Sequence, residues 1–211
     1  MDFIQRPIDI NTYFDKIFYI NLDKDVDKNT SILSLFKKHN ITNFQRVSGH
    51  IYKKTTFEKD YRNFIKDDTK YILGSLGCRD AHLEAIRLAK DNKYQRILIL
   101  EDDIDILQDL NELITNNELI LNDWDMLYFG GMVEPFFRNQ IVGAYAYGVN
   151  SIVYDDILEM AVPSGMEIDN FYAKIIQKMS YNYNQIGKYR IRTIQPFNQI
   201  VVNYNFKSNI R

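Results

Sequence analysis

The chain has 211 residues, of which 45% are hydrophobic and 26% are charged. This length suits one well-cored domain, and the composition excludes a disordered chain. The formal net charge of -2, from 26 basic and 28 acidic residues, argues against a nucleic acid or an anionic membrane as the partner.

The single cysteine and the first residues bear on the location of the protein. Cys78 is the one cysteine of the chain, so an intrachain disulfide is impossible and a reducing compartment is favoured. Residues 1–16 contain no long apolar run, which argues against a signal peptide or a membrane anchor. We therefore predict a cytoplasmic protein with no membrane span.

Apolar periodicity predicts alternating strands and helices along the chain. Short apolar runs indicate strands, and apolar side chains three or four positions apart indicate helices. The first predicted elements are a surface arm (1–16), a strand (17–22), a helix capped by Asp27 or Asn29 that ends near His39, a strand (44–47) and a surface excursion (50–70). The next are a turn at Gly74, Ser75 and Gly77, a helix that ends at Asn92, and a buried strand (97–100).

The second half of the chain continues this alternation. Its predicted elements are a helix (108–120), an aromatic strand (124–131), a strand (144–148), a helix (151–162), a last helix (170–179), a strand (188–194) and a tail (196–211). This order predicts an α/β fold whose sheet contains parallel strands. Neither a linker nor a repeat divides residues 1–211, which predicts a single domain.

The stretch of residues 96–106 joins a buried strand to an acidic cluster. Four apolar residues (97–100) run directly into Glu101, Asp102 and Asp103. Such a run is typical of a strand buried on both faces, and the carboxyl ends of strands are where open α/β sheets bind ligands. Adjacent carboxylates repel one another unless a cation or water separates their charges. These residues alone leave a metal site and a solvated acidic loop as alternatives.

Four blocks of sequence, in order along residues 17–210, carry a family resemblance. They are IFYINLDKDVDK (17–28), GSLGCRDAHLEAIRLAKDNKYQRILILEDDI (74–104), WDMLYFGG (124–131) with AYAYGVN (144–150), and QPFNQIVVNYNFKSNI (195–210). Together they resemble glycosyltransferase family 25, which includes sugar transferases of bacterial lipooligosaccharide synthesis and galactosyltransferase modules that modify collagen hydroxylysine. The resemblance implies a GT-A fold, a mostly parallel sheet flanked by helices that binds a nucleotide sugar at its strand ends, with the tail packing near the site.

The resemblance also implies a metal ion at the acidic cluster. Asp103 and Asp102 would ligate Mn²⁺ (or Mg²⁺) on the diphosphate of a UDP-sugar, and Glu101 or Asp102 would face the ribose or a metal-bound water. Hard cations of this kind prefer carboxylate oxygens. The metal would stabilise the charge that develops on the departing diphosphate.

Three other matched positions, Asn21, Gly77 and His82, have two interpretations each. Asn21 would bind the uracil or ribose, or cap a turn, and Lys24 and Lys28 would bind phosphate where the family often has arginine. Gly77 would let the backbone approach the donor, or simply form a turn. His82 would lie in the donor site, or be a hydrogen-bonded structural residue. Cys78 is predicted to be a small buried hydrophobe.

The family is generally inverting, which requires a base to accept the proton of the acceptor hydroxyl. Asp169 matches a family position where an aspartate opens a late helix, and it is the first candidate for the base. The alternative is that Asp169 only caps that helix. Glu134 and Glu167 are reserve candidates.

The predicted function is the transfer of a hexose, galactose or glucose, from a UDP-sugar to a hydroxyl group of a glycan or a hydroxylated protein. Two positions depart from the family pattern: Ala81 replaces a serine, and Asn209 replaces an aspartate. These departures leave open an alternative, a catalytically inactive GT-A-like domain that binds a sugar or a protein partner. A donor-hydrolysis assay distinguishes the two.

Overall fold

Strands and helices alternate along the chain and place one mixed sheet at its centre. The computed structural model describes residues 8–49, 69–116, 124–134, 140–177, 193–194 and 201–203. The strands are β1 (Lys16–Asn21), β2 (Phe44–Ser48), β3 (Arg96–Glu101), β4 (Ile104–Ile106), β5 (Met126–Tyr128), β6 (Met132–Glu134), β7 (Gln140–Val142), β8 (Ala146–Asn150), β9 (Thr193–Ile194) and β10 (Val201–Asn203). The helices are α1 (Ile10–Tyr13), α2 (Val26–Lys38), α3 (Thr69–Asp91), α4 (Leu110–Asn116), α5 (Tyr154–Ser164) and α6 (Ile168–Phe171), which continues as a π-helical turn (Tyr172–Ile176).

The main sheet has six strands in the order β2-β1-β3-β8-β5-β9. Strand β1 pairs in parallel with both β2 and β3, and β5 pairs in parallel with β9. Strand β8 runs antiparallel to both of its neighbours, β3 and β5. The described strands therefore form the mostly parallel α/β sheet that the sequence predicted.

Strand β3 is the buried centre of this sheet. Its residues Ile97, Leu98, Ile99 and Leu100 are each 0% exposed. Ile97 and Ile99 pack in the cluster that contains α3 and α5, whereas Leu98 and Leu100 pack in the cluster that contains α1, α2 and α4. Burial on both faces explains the continuous apolar run, because alternate side chains of a strand point to opposite faces.

The predicted glycine turn is wrong. Gly74, Ser75 and Gly77 lie inside α3, which runs without interruption from Thr69 to Asp91. A glycine in a helix costs about 1 kcal/mol relative to alanine, and burial of one side of α3 against the sheet outweighs this cost. Leu76 and Leu83 on that helix are almost completely buried.

The predicted surface arm is wrong for its described part. Helix α1 begins after Asp9, whose side chain accepts a hydrogen bond from the backbone N–H of Asn11. Ile10 and Phe14 are 1% and 0% exposed and belong to the core, and Tyr13 accepts a hydrogen bond from the indole of Trp124 at 2.7 Å. The segment is therefore part of the packed structure.

Two helix starts also differ from the prediction. Helix α2 begins at Val26 after Asp25, so neither Asp27 nor Asn29 is its N-cap. Helix α6 begins after Glu167, so Asp169 lies within its first turn and is not its cap.

Several predictions fall outside the described residues. They include most of the surface excursion (50–68) and the end of the tail with Asn209. In the part of the tail that is described, β10 pairs antiparallel with β4, just beyond the acidic cluster. Over the described ranges, no helix combines the length and the apolar character needed to cross a membrane.

Candidate active site

The ends of β1 and β3 bring the acidic cluster next to polar side chains from two other parts of the chain. In the parallel pairing, Ile20 lies opposite Glu101, and Asn21 lies opposite Ser48 at the end of β2. Because three parallel strands end together, their carboxyl-end residues share one edge of the sheet. The chain turns after Glu101, so Asp102 and Asp103 follow at the same edge.

Asn21, at the end of β1, is buried and forms hydrogen bonds that link the ends of β1, β2 and β3. It is 1% exposed, and its Nδ2 donates to Asp102 Oδ2 at 2.7 Å and to the backbone oxygen of Asp25 at 3.1 Å. Its Oδ1 accepts from Arg46 Nε at 3.0 Å. These hydrogen bonds of the amide hold Asp102 and the loop after β1 in place. Asn21 therefore stabilises the turn and also lies beside the acidic cluster.

Lys28 neutralises the two aspartates from helix α2. Its Nζ lies 3.3 Å from Asp102 Oδ1 and 3.2 Å from Asp103 Oδ2. Burial lowers the pKa of Lys28, but the charges of Asp103 and Asp102 and their hydrogen bonds together outweigh this effect, and its net pKa lies above the ordinary value. Burial also raises the pKa of Asp102, although the Asn21 hydrogen bond and the Lys28 charge oppose this. The two carboxylates thus converge on one positive charge.

Glu101 faces the other side of the sheet edge, toward helix α3. Its Oε1 lies 3.3 Å from His82 Nε2 and accepts from Cys78 Sγ at 3.7 Å. Burial, followed by the charges of Asp103 and Asp102, raises the pKa of Glu101 to about 8. Burial lowers the pKa of His82 to about 4, so near neutral pH the Glu101–His82 contact joins two uncharged groups.

A layer of three tyrosines supports His82. Its Nδ1 lies 2.8 Å from the hydroxyl of Tyr147, which lies 3.1 Å from the hydroxyl of Tyr172. Tyr128 stacks on Tyr147 with ring centroids 5.8 Å apart. Sequence reasoning missed this layer, because tyrosines in apolar strands and helices are indistinguishable from ordinary core residues before the elements are assembled.

Asp169 completes the group of carboxylates near Glu101. Its Oδ1 accepts from the backbone N–H of Ala144 at 2.6 Å, which orders the chain just before β8. Burial, followed by the charge of Glu101, raises the pKa of Asp169 to about 6, and the Ala144 hydrogen bond and His82 oppose this shift. Asp169 and Glu101 therefore form two electrostatically coupled carboxyl groups with displaced pKa values, a feature that clusters at functional sites.

The remaining candidate residues lie in different parts of the structure. Lys24 is exposed on the loop after β1, and Gly77 is buried within α3. Glu167 accepts a hydrogen bond from the side chain of Asn170, and the side chain of Glu134 lies outside the described residues. Ala81 is 0% exposed within the apolar cluster, so its departure from the family pattern falls in the core.

Arg46 is a site neighbour that the sequence did not reveal. Its guanidinium donates to the backbone oxygen of Asn21 at 3.1 Å and to Asp23 Oδ1 at 2.6 Å. The side chain stabilises the loop after β1 from the adjacent strand. Only the strand register discloses this, since residues 21 and 46 are far apart in the sequence.

One family model matches more than half of the chain. The model of the family described as Glycosyltransferase family 25 (LPS biosynthesis protein) matches residues 14–145. No curated protein matches the chain in sequence.

The solved structures that are similar to this chain include two glycosyltransferases. A glycosyltransferase involved in the glycosylation of the major capsid of PBCV-1 is 12% identical, with a TM-score of 0.50, over 92% of this chain and 94% of that one. A galactosyltransferase in complex with donor and acceptor sugar analogues is 14% identical, with a TM-score of 0.46, over 90% of this chain and 87% of that one. The α/β fold is thus the GT-A-like fold that the sequence predicted.

Proposed function

Because this chain belongs to glycosyltransferase family 25, we propose that it transfers a hexose, galactose or glucose, from a UDP-sugar to a hydroxyl group with inversion. That the protein is a glycosyltransferase follows from its family and fold. The observation that carries the finer proposal is the convergence of Asp102 and Asp103 on one cationic group at the carboxyl end of β3.

The acidic pair suits a divalent cation such as Mn²⁺ or Mg²⁺. The ammonium of Lys28 contacts both carboxylates at 3.3 and 3.2 Å, so their oxygens already converge on one positive charge. Both ligands are hard oxygen donors, which these ions prefer. Asp103 and Asp102 would hold the ion, which when bound supplies positive charge to the leaving diphosphate.

The surrounding residues would position the donor. Asn21 is held by Arg46 and donates to Asp102, so it would fix the direction of the Asp102 carboxylate relative to the donor. Lys28 lies beside the same pair and would turn toward the phosphates once another cation neutralises the aspartates. Lys24, exposed on the same loop, would add a second positive charge for the diphosphate.

Asp169 is the proposed base. It lies in the same electrostatic group as Glu101 and His82, and a pKa of about 6 suits proton acceptance near neutral pH. The proton of the acceptor hydroxyl would pass to the carboxylate of Asp169 as the hydroxyl oxygen attacks the anomeric carbon. The acceptor would be a glycan or a hydroxylated protein.

Isothermal titration of UDP, with and without Mn²⁺, tests the donor and metal proposal. We expect UDP to bind more tightly with Mn²⁺, and we expect Asp103→Asn to abolish that difference. The matched control is Asp105→Asn, because Asp105 follows two residues later and accepts from the adjacent backbone N–H of Ile106. Equal affinity of the wild type for UDP with and without Mn²⁺, or a Mn²⁺ effect that persists in Asp103→Asn, would contradict the proposal.

A further inference from the structure

Three chemically different ligand groups meet beside the acidic pair. Within the described part of the chain, one group of three candidate metal ligands lies close together: Cys78 Sγ, His82 Nε2 and a carboxylate oxygen of Glu101, all within 4.8 Å of one another. Cys78 and His82 are four residues apart on α3 and so share one face of the helix. Glu101 reaches them from the end of β3.

We propose that Cys78, His82 and Glu101 form a binding site for Zn²⁺, separate from the Asp102–Asp103 pair. The two separations that involve Glu101 are close to those of a tetrahedral zinc site. Zinc lies about 2.3 Å from sulfur and about 2.0 to 2.2 Å from nitrogen and oxygen, so tetrahedral angles place neighbouring ligands about 3.3 to 3.6 Å apart. The sulfur and nitrogen lie 3.7 and 3.3 Å from Glu101 Oε1.

The histidine is oriented as a zinc ligand requires. Zinc-bound histidines usually donate their second ring N–H to a fixed acceptor, which sets the tautomer and the ring direction. Here Nδ1 contacts the hydroxyl of Tyr147 at 2.8 Å, and that hydroxyl contacts Tyr172. His82 is 0% exposed, so its ring is held with Nε2 toward Glu101 and Cys78.

The choice of ion follows from the thiol. Thiolate and imidazole ligands favour Zn²⁺, whereas Mg²⁺ and Mn²⁺ prefer oxygen ligands. Three protein ligands leave the fourth position of the metal to water, as in open zinc sites. The neighbouring pair of Asp102 and Asp103 supplies only oxygen, so the two sites differ in the ion that each selects.

The proton balance of binding is explicit. The ligand atoms are a thiolate sulfur, a neutral imidazole nitrogen and a carboxylate oxygen. At neutral pH, binding of the ion releases the thiol proton of Cys78 and the carboxyl proton of Glu101 to solvent. His82 keeps the proton on its Nδ1, which is hydrogen-bonded to the hydroxyl of Tyr147. No electron is transferred.

Cobalt substitution of the full chain tests the site independently of turnover. Co²⁺ replaces Zn²⁺ in tetrahedral sites, and a thiolate ligand adds a sulfur-to-cobalt charge-transfer band in the near ultraviolet. Cys78 is the one cysteine of the chain, so such a band identifies its sulfur as the ligand. We expect this band with intense visible absorption, and we expect equimolar Zn²⁺ to bleach both.

Variants assign the other ligands and separate the two sites. His82→Gln and Glu101→Gln should each weaken Co²⁺ binding by at least about tenfold, since loss of even an indirect partner costs that much. Asp103→Asn is the matched control and should keep the cobalt spectrum, even though it should lose the Mn²⁺ effect on UDP. Circular dichroism checks that each variant is folded.

The result that would overturn the proposal is a wild-type protein without the charge-transfer band, or with a band that His82→Gln and Glu101→Gln leave unchanged. A protein that shows the cobalt spectrum but no Mn²⁺-dependent UDP binding would support the zinc site and contradict the proposed donor site. The two proposals therefore fail separately.

Discussion

Asp169 is the residue whose charge state has the clearest consequences. Its pKa is raised to about 6 in the folded protein, whereas the pKa of an aspartate in an unfolded chain is about 4. The folded state therefore binds this proton more tightly, and the free energy of unfolding falls as the pH rises between about 4 and 6. The charged form is costly for the fold and is the form that a base requires.

Asp169→Asn should separate catalysis from stability. The amide keeps an oxygen that can accept from Ala144 and removes the buried charge, so at pH 7 we expect stabilisation of up to about 3 kcal/mol. Turnover should fall by about 10² to 10⁴, the usual contribution of a positioned base. Urea unfolding and UDP release measure the two effects.

The wild-type pH profile gives a second check of this role. Turnover should rise as the pH increases through about 6, because the carboxylate accepts the proton only when ionised. Asp155→Asn, at an exposed position of α5, is the matched control and should keep both the turnover and the profile. Unchanged turnover in folded Asp169→Asn would rule out the base role.

Lys28 gives a prediction about the acidic pair. Lys28→Met removes the charge that contacts Asp102 and Asp103, so the two carboxylates repel one another and we expect a loss of about 1 to 3 kcal/mol. Mn²⁺ should restore part of this stability, because a bound ion stabilises only the folded state. The Tm of the variant should therefore rise more with Mn²⁺ than the Tm of the wild type.

Lys24→Met is the control for this experiment, because Lys24 is exposed on the same loop. Its Tm should respond to Mn²⁺ as the wild type does. An equal Mn²⁺ response in Lys28→Met and the wild type would contradict the idea that Lys28 and the ion compete for the acidic pair.

At the scale of elements, the short helix α1 shows where local sequence reasoning failed. Residues 1–16 were predicted to form a surface arm, but Ile10 and Phe14 insert into the core. Phe14 packs against Trp124 and Phe129, with ring centroids 6.2 and 6.1 Å apart. These contacts join residues more than 100 positions apart, so no local pattern could indicate them.

Phe14→Ala tests whether α1 is part of the folded core. Removing a fully buried phenylalanine typically costs about 3 to 5 kcal/mol, so the urea midpoint should fall strongly. Ile152→Ala is the control, since Ile152 is 51% exposed and its truncation should change stability by less than about 0.5 kcal/mol. A similarly small effect of Phe14→Ala would mean that the segment lies on the surface.

The predicted strands were the most reliable elements, because burial on both faces produces the continuous apolar run that is visible in β3. The predicted start of α3 was wrong because Gly74 and Gly77 locally favour a turn, whereas tertiary packing keeps them in the helix. Asp169 resembled a helix cap because it lies near a helix start, yet its oxygen binds Ala144 instead. Propensity describes neighbours in sequence, and these outcomes depend on neighbours in space.

At the scale of the whole molecule, the candidate site is assembled at the edge of the sheet where β1 and β3 end. Asn21, Lys28 and the acidic cluster were predicted to meet, and the parallel register of β1 and β3 places them in contact. The sequence could not show that Lys28 binds the aspartates, that Arg46 holds Asn21, or that Glu101 turns toward Cys78 and His82. Each depends on side-chain direction, which follows only from the assembled fold.

The most direct test of the proposed activity is UDP release from UDP-galactose and UDP-glucose, measured with and without Mn²⁺. We expect the wild type to release UDP from at least one donor in a Mn²⁺-dependent reaction, and we expect Asp103→Asn to lose that release. No release from either donor by folded, Mn²⁺-supplemented protein would contradict the account and favour a domain that only binds a sugar or a protein partner.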